Sequence, residues 1–190
     1  MTRRLPYILV VLLTLGACSN MQIEDFAGTG PELKPEEYFA GQTKAWGIFE
    51  DRFGNLKREF LVDIKGDWDG TTLTLTEDFD YSDGEKEQRI WHITKSGDGL
   101  YEGRADDVVG VAKGVARGKA LNWSYDLMLK VGDNTIKVRF DDWMFLQPGG
   151  VMINKAEVSK FGITIGTVTL FFAKDAVNRT GSFGGRKSAA

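Results

Sequence analysis

Hydrophobic and polar residues alternate along most of the chain between residues 41 and 174. In 120–130 every second residue is large and apolar, and Ala120, Asn122, Ser124 and Asp126 fill the other phase. Alternation of period two predicts β-strands with one face buried and the other in water. The pattern predicts ten strands, over residues 42–50, 56–68, 71–81, 86–96, 99–105, 108–117, 119–130, 134–147, 150–160 and 163–174.

Short turn signals separate these segments, such as Asp69-Gly70, Asp83-Gly84 and Gly97-Asp98-Gly99. Such turns join neighbouring antiparallel strands, and an open meander of ten strands would leave two long unpaired edges. We therefore predict an all-β fold, an antiparallel up-and-down β-barrel of about ten strands of lipocalin or calycin type. A curved open sheet is the alternative. Barrels of about eight to ten strands have room for one small ligand.

The segment 108–117 has small residues on one face. Gly110, Ala112, Gly114 and Ala116 share one phase of the predicted strand. This face allows close packing inside the barrel, or it leaves volume for a bound molecule.

The first eighteen residues read MTRRLPYILVVLLTLGAC and form a secretory signal. Arg3 and Arg4 precede a short apolar run that is too short to span a bilayer. The following Leu15-Gly16-Ala17-Cys18 resembles the bacterial lipobox, in which the cysteine is acylated. We predict lipidation of Cys18, which makes the lipid bilayer a partner of the chain. Ser19 at the next position favours the outer membrane, facing the periplasm.

The chain is thus predicted to have four parts: a lipoprotein signal peptide over 1–17, a lipidated tether over 18–40, a β-barrel domain over 41–174 and a disordered Gly/Ser-rich tail over 175–190. We expect Phe26, Tyr38 and Phe39 of the tether to dock on the barrel.

Composition narrows the function. The chain has 190 residues, 24 basic and 27 acidic, with a net charge of −3, which argues against nucleic acid as a partner. It has one cysteine and one histidine, so it contains no internal disulfide and no His/Cys zinc cluster. We expect no cofactor and no metal.

Little in the sequence supports catalysis. His92 is the only imidazole, and no nucleophile motif accompanies it. Glu77 and Asp142 fall in the apolar phase of their strands, so each needs a partner or a raised pKa. The candidate partners are Arg58, Arg89, Arg104 and Arg139. A hydrolytic or metal site built by Asp107 and Asp142 across strands is a weaker alternative, and no catalytic residue is assigned.

Tryptophan is spread over the predicted strands, with Trp46, Trp68, Trp91, Trp123 and Trp143 each on a different one. A cavity lined by Trp and Tyr suits an apolar or amphipathic ligand, although core packing is the usual role of such rings. Cationic groups of Arg104, Arg139 or His92 would then lie near the polar end of the ligand. The ligand-binding candidates are Trp91, His92, Arg104, Asp107, Trp123, Tyr125, Arg139, Asp142 and Trp143.

Several longer runs resemble a known family. They are AWGIF at 45–49, DRFG at 51–54, EDFDYSDGE at 77–85, RIW at 89–91, YEGRADDVVG at 101–110 and RFDDWM at 139–144. Together they are similar, over about residues 22–174, to a bacterial lipoprotein family of unknown function, the domain of unknown function 3833 family. The resemblance implies an envelope lipoprotein and carries no activity with it.

Three functions remain open. The first is a membrane-anchored, periplasm-facing lipoprotein that binds a hydrophobic or amphipathic, lipid-like molecule inside the barrel. The second is a structural or assembly lipoprotein with a filled barrel that acts through a protein partner. The third is an enzyme, which requires Asp107, Asp142 and His92 to converge in one accessible pocket.

Overall fold

The computed structural model describes residues 21–132 and 134–174 and shows an all-β barrel. The predicted signal peptide, the lipobox with Cys18 and the tail over 175–190 lie outside the described residues. The strands are β1 (Gly41–Asp51), β2 (Leu56–Trp68), β3 (Thr72–Tyr81), β4 (Lys86–Gly97), β5 (Leu100–Arg104), β6 (Val108–Arg117), β7 (Ala120–Val131), β8 (Asn134–Leu146), β9 (Val151–Lys160) and β10 (Ile163–Lys174).

Each strand pairs antiparallel with its neighbours in the chain, and β1 pairs with β10 to close the barrel. This last pairing runs from Thr43 opposite Lys174 to Asp51 opposite Gly166. Closure leaves none of the ten strands with a free edge, which removes the main route to edge-to-edge association. The up-and-down barrel predicted from the alternation is therefore confirmed, and the open-sheet alternative is wrong.

The alternation of side chains explains where the core lies. In β2, Val62 and Ile64 are buried, whereas Asp63 and Lys65, which alternate with them, are exposed. Successive residues of a strand point to opposite faces, so each strand sends one apolar series into the barrel.

The chain before β1 closes one end of the barrel. It forms a 3₁₀-helix (Ile23–Phe26) and a one-turn helix, α1 (Pro35–Tyr38). The Leu33 amide donates to the Gly118 carbonyl at 2.8 Å, and the Tyr38 hydroxyl donates to the Gly150 carbonyl at 3.1 Å. These bonds tie the segment to two loops at the same end, which we call the closed end.

The predicted docking of this segment is confirmed. Tyr38 and Phe39 are 6% exposed, and the Phe26 ring packs on Trp143 and Phe145 at 6.2 and 5.4 Å between centroids. The buried Glu36 accepts hydrogen bonds from the Tyr101 hydroxyl and the Lys95 ammonium, both at 2.8 Å. Because a carboxylate this buried needs partners, both bonds favour the closed position of the segment.

The glycines of β5 and β6 allow close packing of Trp123. A Cβ atom on Gly114 would lie 2.3 Å from the Trp123 ring, and one on Gly103 would lie 2.6 Å from it. The small-residue face of β6 therefore accommodates an indole ring of the protein itself. Among residues 21–132 and 134–174, no helix has the length and apolar character needed to cross a membrane.

Candidate functional site

A cavity of about 510 Å³ occupies the barrel interior. Pro35 and Phe39 line it at the closed end, and Lys57, Glu85 and Lys130 line it at the opposite end, which we call the mouth. This volume is within the range of small-molecule binding pockets. The prediction left open whether the interior is hollow or filled, and the structure shows it hollow.

Most of the wall is apolar and aromatic. Trp91 meets Trp123 and Tyr125 edge to face, with centroids 5.7 and 5.2 Å apart, and Tyr125 stacks on Phe140 at 5.1 Å. Nearer the mouth, Phe60, Phe79 and Tyr81 form a second ring cluster. The aliphatic lining residues are Val62, Ile64, Leu75, Ile93, Leu121, Leu127, Leu129, Val158, Val168 and Leu170.

One polar cluster interrupts this wall. Glu77 of β3 lies directly opposite Arg89 of β4, and Asp142 of β8 lies opposite Trp123 of β7. All of these residues line the cavity, together with Asn154 of β9. They belong to the inward series of their strands, which is why polar groups reach the interior.

Arg89 provides the positive charge of the cluster. Its Nη2 and Nε lie 2.7 and 2.9 Å from Asp107 Oδ2, so one carboxylate oxygen accepts from both nitrogens. Burial disfavours the charged guanidinium, but Glu77 and Asp107 outweigh this cost and raise the pKa of Arg89 above its ordinary value. The arginine therefore stays charged inside the barrel.

The two inward carboxyl groups, unlike Arg89, are shifted by burial toward their neutral forms. Burial raises the pKa of Glu77 from 4.5 to about 7, although Arg89 opposes the shift. Burial likewise raises the pKa of Asp142 from 3.8 to about 7, although the hydrogen bond from Asn154 opposes it. Both groups are therefore poised to change protonation near neutral pH.

Three buried acceptor oxygens of the cluster, on Asp107, Asp142 and Asn154, have no hydrogen-bond partner among the described residues. Asn154 Nδ2 donates to Asp142 Oδ1 at 3.0 Å. Within residues 21–132 and 134–174, no group donates a hydrogen bond to Asp142 Oδ2 or Asn154 Oδ1. Asp142 is 5% exposed, Asn154 is fully buried and both line the cavity, so a molecule in the cavity can donate to these oxygens. The Tyr125 hydroxyl, which lowers the pKa of Asp142, is the protein group that competes for Asp142.

A second charged group lies at the mouth. Arg58 Nε is 2.8 Å from Asp83 Oδ2, and Arg58 also pairs with Glu85. The guanidinium carbon lies 3.5 Å from the centroid of the Tyr81 ring. This pairing fixes the β3–β4 loop beside the entrance.

The structure brings only part of the predicted binding set together. Trp91, Trp123, Tyr125 and Asp142 line the cavity, and Asp107 reaches it indirectly by pairing with Arg89. Of the candidate arginine partners, Arg89 and Arg58 line the cavity.

His92, Arg104, Arg139 and Trp143 lie outside the barrel, which corrects the predicted placement of cationic groups at the ligand's polar end. His92 neighbours Thr74 on the outer face, at 3.3 Å. Arg104 is exposed and donates to the Gly110 carbonyl. Arg139 is exposed and pairs with Asp126 at 3.4 Å. The reason is the strand period, because a residue next to an inward residue points outward.

Trp143 lies on the outer wall, where its ring stacks with that of Phe145 at 6.2 Å under the N-terminal segment. Its role is to hold Phe26, and it does not line the cavity.

The predicted triad for an enzyme is not assembled. Asp142 lies inside the barrel, His92 lies outside it, and Asp107 is paired with Arg89. In the part of the chain that the structure describes, no three His, Cys, Asp or Glu residues group in a way that could hold a metal ion.

Asn154 is the polar residue that the sequence reasoning missed. It shares the inward phase of β9 with Met152, Ala156 and Val158, all of them buried. An amide in an otherwise apolar phase was the available signal, the same one that identified Glu77 and Asp142.

Comparison with known proteins gives one match. The model of a family described as "Protein of unknown function (DUF3833)" matches residues 12–174. No curated protein and no solved structure matches the chain.

Proposed function

Because the chain belongs to the DUF3833 family of proteins of unknown function, we propose a function from the cavity: the barrel binds one amphipathic, lipid-like molecule. The observation that carries the proposal is a hollow of about 510 Å³ with an apolar, aromatic wall and a single polar cluster. Burial of a hydrocarbon chain against such a wall supplies the affinity, at about 25 cal/mol per Å² of apolar surface. The few polar groups supply orientation.

The polar cluster favours a particular kind of head group. Asp142 Oδ2 and Asn154 Oδ1 are buried acceptors that need a donor. Above neutral pH, Glu77, Asp107 and Asp142 surround the one guanidinium of Arg89, so the cluster repels an added carboxylate. A hydroxyl, amide or amine donates to these oxygens without bringing a negative charge. We therefore assign the ligand a donor head group on an acyl or other hydrocarbon chain.

The same proposal includes an envelope location. The lipobox pattern at Leu15-Gly16-Ala17-Cys18 supports acylation of Cys18, and Ser19 supports sorting to the outer membrane, with the barrel facing the periplasm. Metabolic labelling of the full-length chain with an alkyne fatty acid tests this part. Label must enter the protein and be absent from Cys18→Ser, and equal labelling of both chains would contradict it.

The hollow interior bears on the alternative function. A structural lipoprotein acting through a filled barrel requires side chains in the space that the cavity occupies. The structure has a cavity of about 510 Å³ there, so the ligand-binding function is the better supported of the two.

A fluorescence titration with N-phenyl-1-naphthylamine tests binding. This probe is apolar, carries one N–H donor and becomes bright in apolar surroundings. Val168 lines the cavity on β10, at the level of Asp142 across β9, while Thr169 faces outward beside it. We expect Val168→Trp to block the cavity and weaken probe binding at least tenfold, with Thr169→Trp as the matched control.

A second pair of variants gives an independent test if Val168→Trp does not fold. Leu129 lines the cavity near the mouth, and the adjacent Met128 is 42% exposed on the outer face. Leu129→Trp must also weaken binding, and Met128→Trp must not. Equal probe binding by all four variants and the unsubstituted chain would refute the cavity as the binding site.

A further inference from the structure

Three of the loops at the mouth repeat one short sequence. Each has a basic residue, an apolar residue and a glycine in order: Arg52-Phe53-Gly54, Lys130-Val131-Gly132 and Lys160-Phe161-Gly162. The glycines have φ of 78°, 58° and 76°, the left-handed conformation that turns each loop. The apolar residues before them are 74%, 51% and 93% exposed.

These loops lie next to one another on the mouth. The order of strands around the barrel places the β1–β2, β9–β10 and β7–β8 loops in succession. The β1–β2 loop is tied to the start of β10, next to the β9–β10 loop, because the Arg52 amide donates to the Ile165 carbonyl at 3.0 Å. We call this half of the rim the apolar rim, and it includes the exposed Leu56 and Ile163.

The other half of the rim has opposite character. The β3–β4 loop carries Asp83 and Glu85, and the β5–β6 loop carries Asp106 and Asp107. The mouth is therefore apolar and basic on one side and acidic on the other.

The basic residues of the apolar rim form no ion pair with the described part of the chain. No carboxylate within residues 21–132 and 134–174 lies at ion-pair distance from Arg52, Lys130 or Lys160, whereas Asp51 beside them is paired with Lys57 at 3.1 Å. The Arg52 guanidinium carbon lies 4.7 Å from the Phe53 ring centroid, and Lys160 Nζ lies 5.5 Å from that of Phe161. Each cation thus accompanies an exposed apolar side chain.

We infer that the apolar rim docks the barrel mouth on the surface of an anionic lipid bilayer. Apolar side chains of such loops enter the boundary between head groups and acyl chains, and the neighbouring cations meet the lipid phosphates. Phe161 supports this assignment, because it is the one described non-glycine residue with positive φ, at 52°, and it is 93% exposed. The left-handed backbone of Phe161 is unfavourable, and so is the exposure of its ring to water. A partner that covers the ring explains why the loop has this conformation.

The geometry favours a bilayer over a protein partner. Phe53, Val131 and Phe161 lie on three separate hairpins, and each follows a cationic residue in the sequence. Side chains on separate loops can enter a fluid bilayer without shape complementarity, whereas a protein–protein interface requires it. The acidic half of the rim is repelled from the same surface, so the barrel docks tilted, with its mouth open toward the lipid.

Depth-dependent quenching in vesicles tests this docking. Protein carrying Cys18→Ser, so that no acyl anchor and no second thiol contributes, is mixed with phosphatidylglycerol-containing vesicles and carries an environment-sensitive dye at Phe53→Cys, Val131→Cys or Phe161→Cys. Asp83→Cys on the acidic half, in the same Cys18→Ser chain, is the matched control. We expect doxyl-labelled lipid to quench the three rim labels several-fold more than the control. Equal quenching at Phe161→Cys and Asp83→Cys would overturn the inference, as would rim labels that remain in water.

A charge reversal separates the lipid phosphates from a general apolar affinity. Arg52→Glu combined with Lys160→Glu must reduce quenching of the Val131→Cys label several-fold, whereas Lys155→Glu on the outer wall of β9 must not. Vesicles of phosphatidylcholine alone must likewise reduce the quenching of the Val131→Cys label. Insensitivity to both changes would overturn the assignment to anionic lipid. None of these residues except Val131 lines the cavity, so probe binding by the charge variants reports separately on the proposed ligand site.

Discussion

Asp142→Asn is the substitution that tests the polar cluster most sharply. The carboxyl group is 5% exposed inside the barrel, and burial raises its pKa from 3.8 to about 7. Asparagine has nearly the same shape, keeps an oxygen for the bond from Asn154, and carries no charge at any pH. The substitution therefore removes the titration of this group while leaving its packing in place.

The sign of the effect follows from proton binding. Between pH 3.8 and about 7 the folded state holds the Asp142 proton and the unfolded state has released it. Stability from this group is complete below pH 3.8 and is lost as pH rises to about 7. Each pH unit in that window changes the free energy of unfolding by about 1.4 kcal/mol, so the whole loss is at most about 4 kcal/mol. Coupling to Glu77 and Arg89 reduces this upper value.

Urea unfolding of ligand-free protein, followed by far-UV circular dichroism from pH 4 to 8, measures the effect. Relative to the unsubstituted chain, Asp142→Asn must gain stability steadily as pH rises toward 7 and then level off. Asp67→Asn is the control, since Asp67 is an exposed carboxyl group on the outer face of β2 and is not among the groups that shift the pKa of Asp142. A stability difference for Asp142→Asn that does not vary with pH would refute the reasoning.

Two further results are expected. Gly114→Ala places a Cβ atom 2.3 Å from the Trp123 ring, so we expect it to lower the free energy of unfolding, measured with urea, by about 1–3 kcal/mol. Gly97→Ala is the control and should lower it less, because the nearest contact of its Cβ atom is the flexible Leu100 side chain at 3.3 Å. Equal losses of stability would contradict the packing argument. At pH 8, dodecanol should displace N-phenyl-1-naphthylamine at lower concentration than dodecanoate does, because Glu77 and Asp142 are then ionised. The difference between the two displacing concentrations should become smaller at pH 5, where both carboxyl groups are protonated. A preference for dodecanol that does not change with pH would count against the polar cluster as the head-group site.

The strands and their closure could be predicted because the signals are local. A period-two pattern with a tight turn at each end specifies both the strand and the direction of the next one. The same phase identified Glu77 and Asp142 as inward carboxyl groups, and both line the cavity. The same pattern puts Arg139 on the outer face of β8, because it is next to the inward Phe140. The expectation that Arg139 lies at the ligand's polar end therefore conflicted with the pattern.

The remaining features depend on contacts between distant segments. Arg89 could be chosen over the other arginines only from the β3–β4 register, in which it faces Glu77. The cavity volume depends on how far Trp123 lies over Gly103 and Gly114, and on the docking of residues 33–39 across one end. No pattern within a single strand reports such distances. The apolar rim emerges only when the strand order places three loops side by side.

Native mass spectrometry of the full-length protein purified from cells tests the central claim most directly. If the barrel holds an amphipathic molecule, the protein must retain a non-covalent adduct of lipid-like mass that leaves on activation. The adduct must be absent from Val168→Trp and present on Thr169→Trp. Protein that carries no adduct, and that takes none up when mixed with dodecanol, would contradict the claim that this cavity is a ligand-binding site.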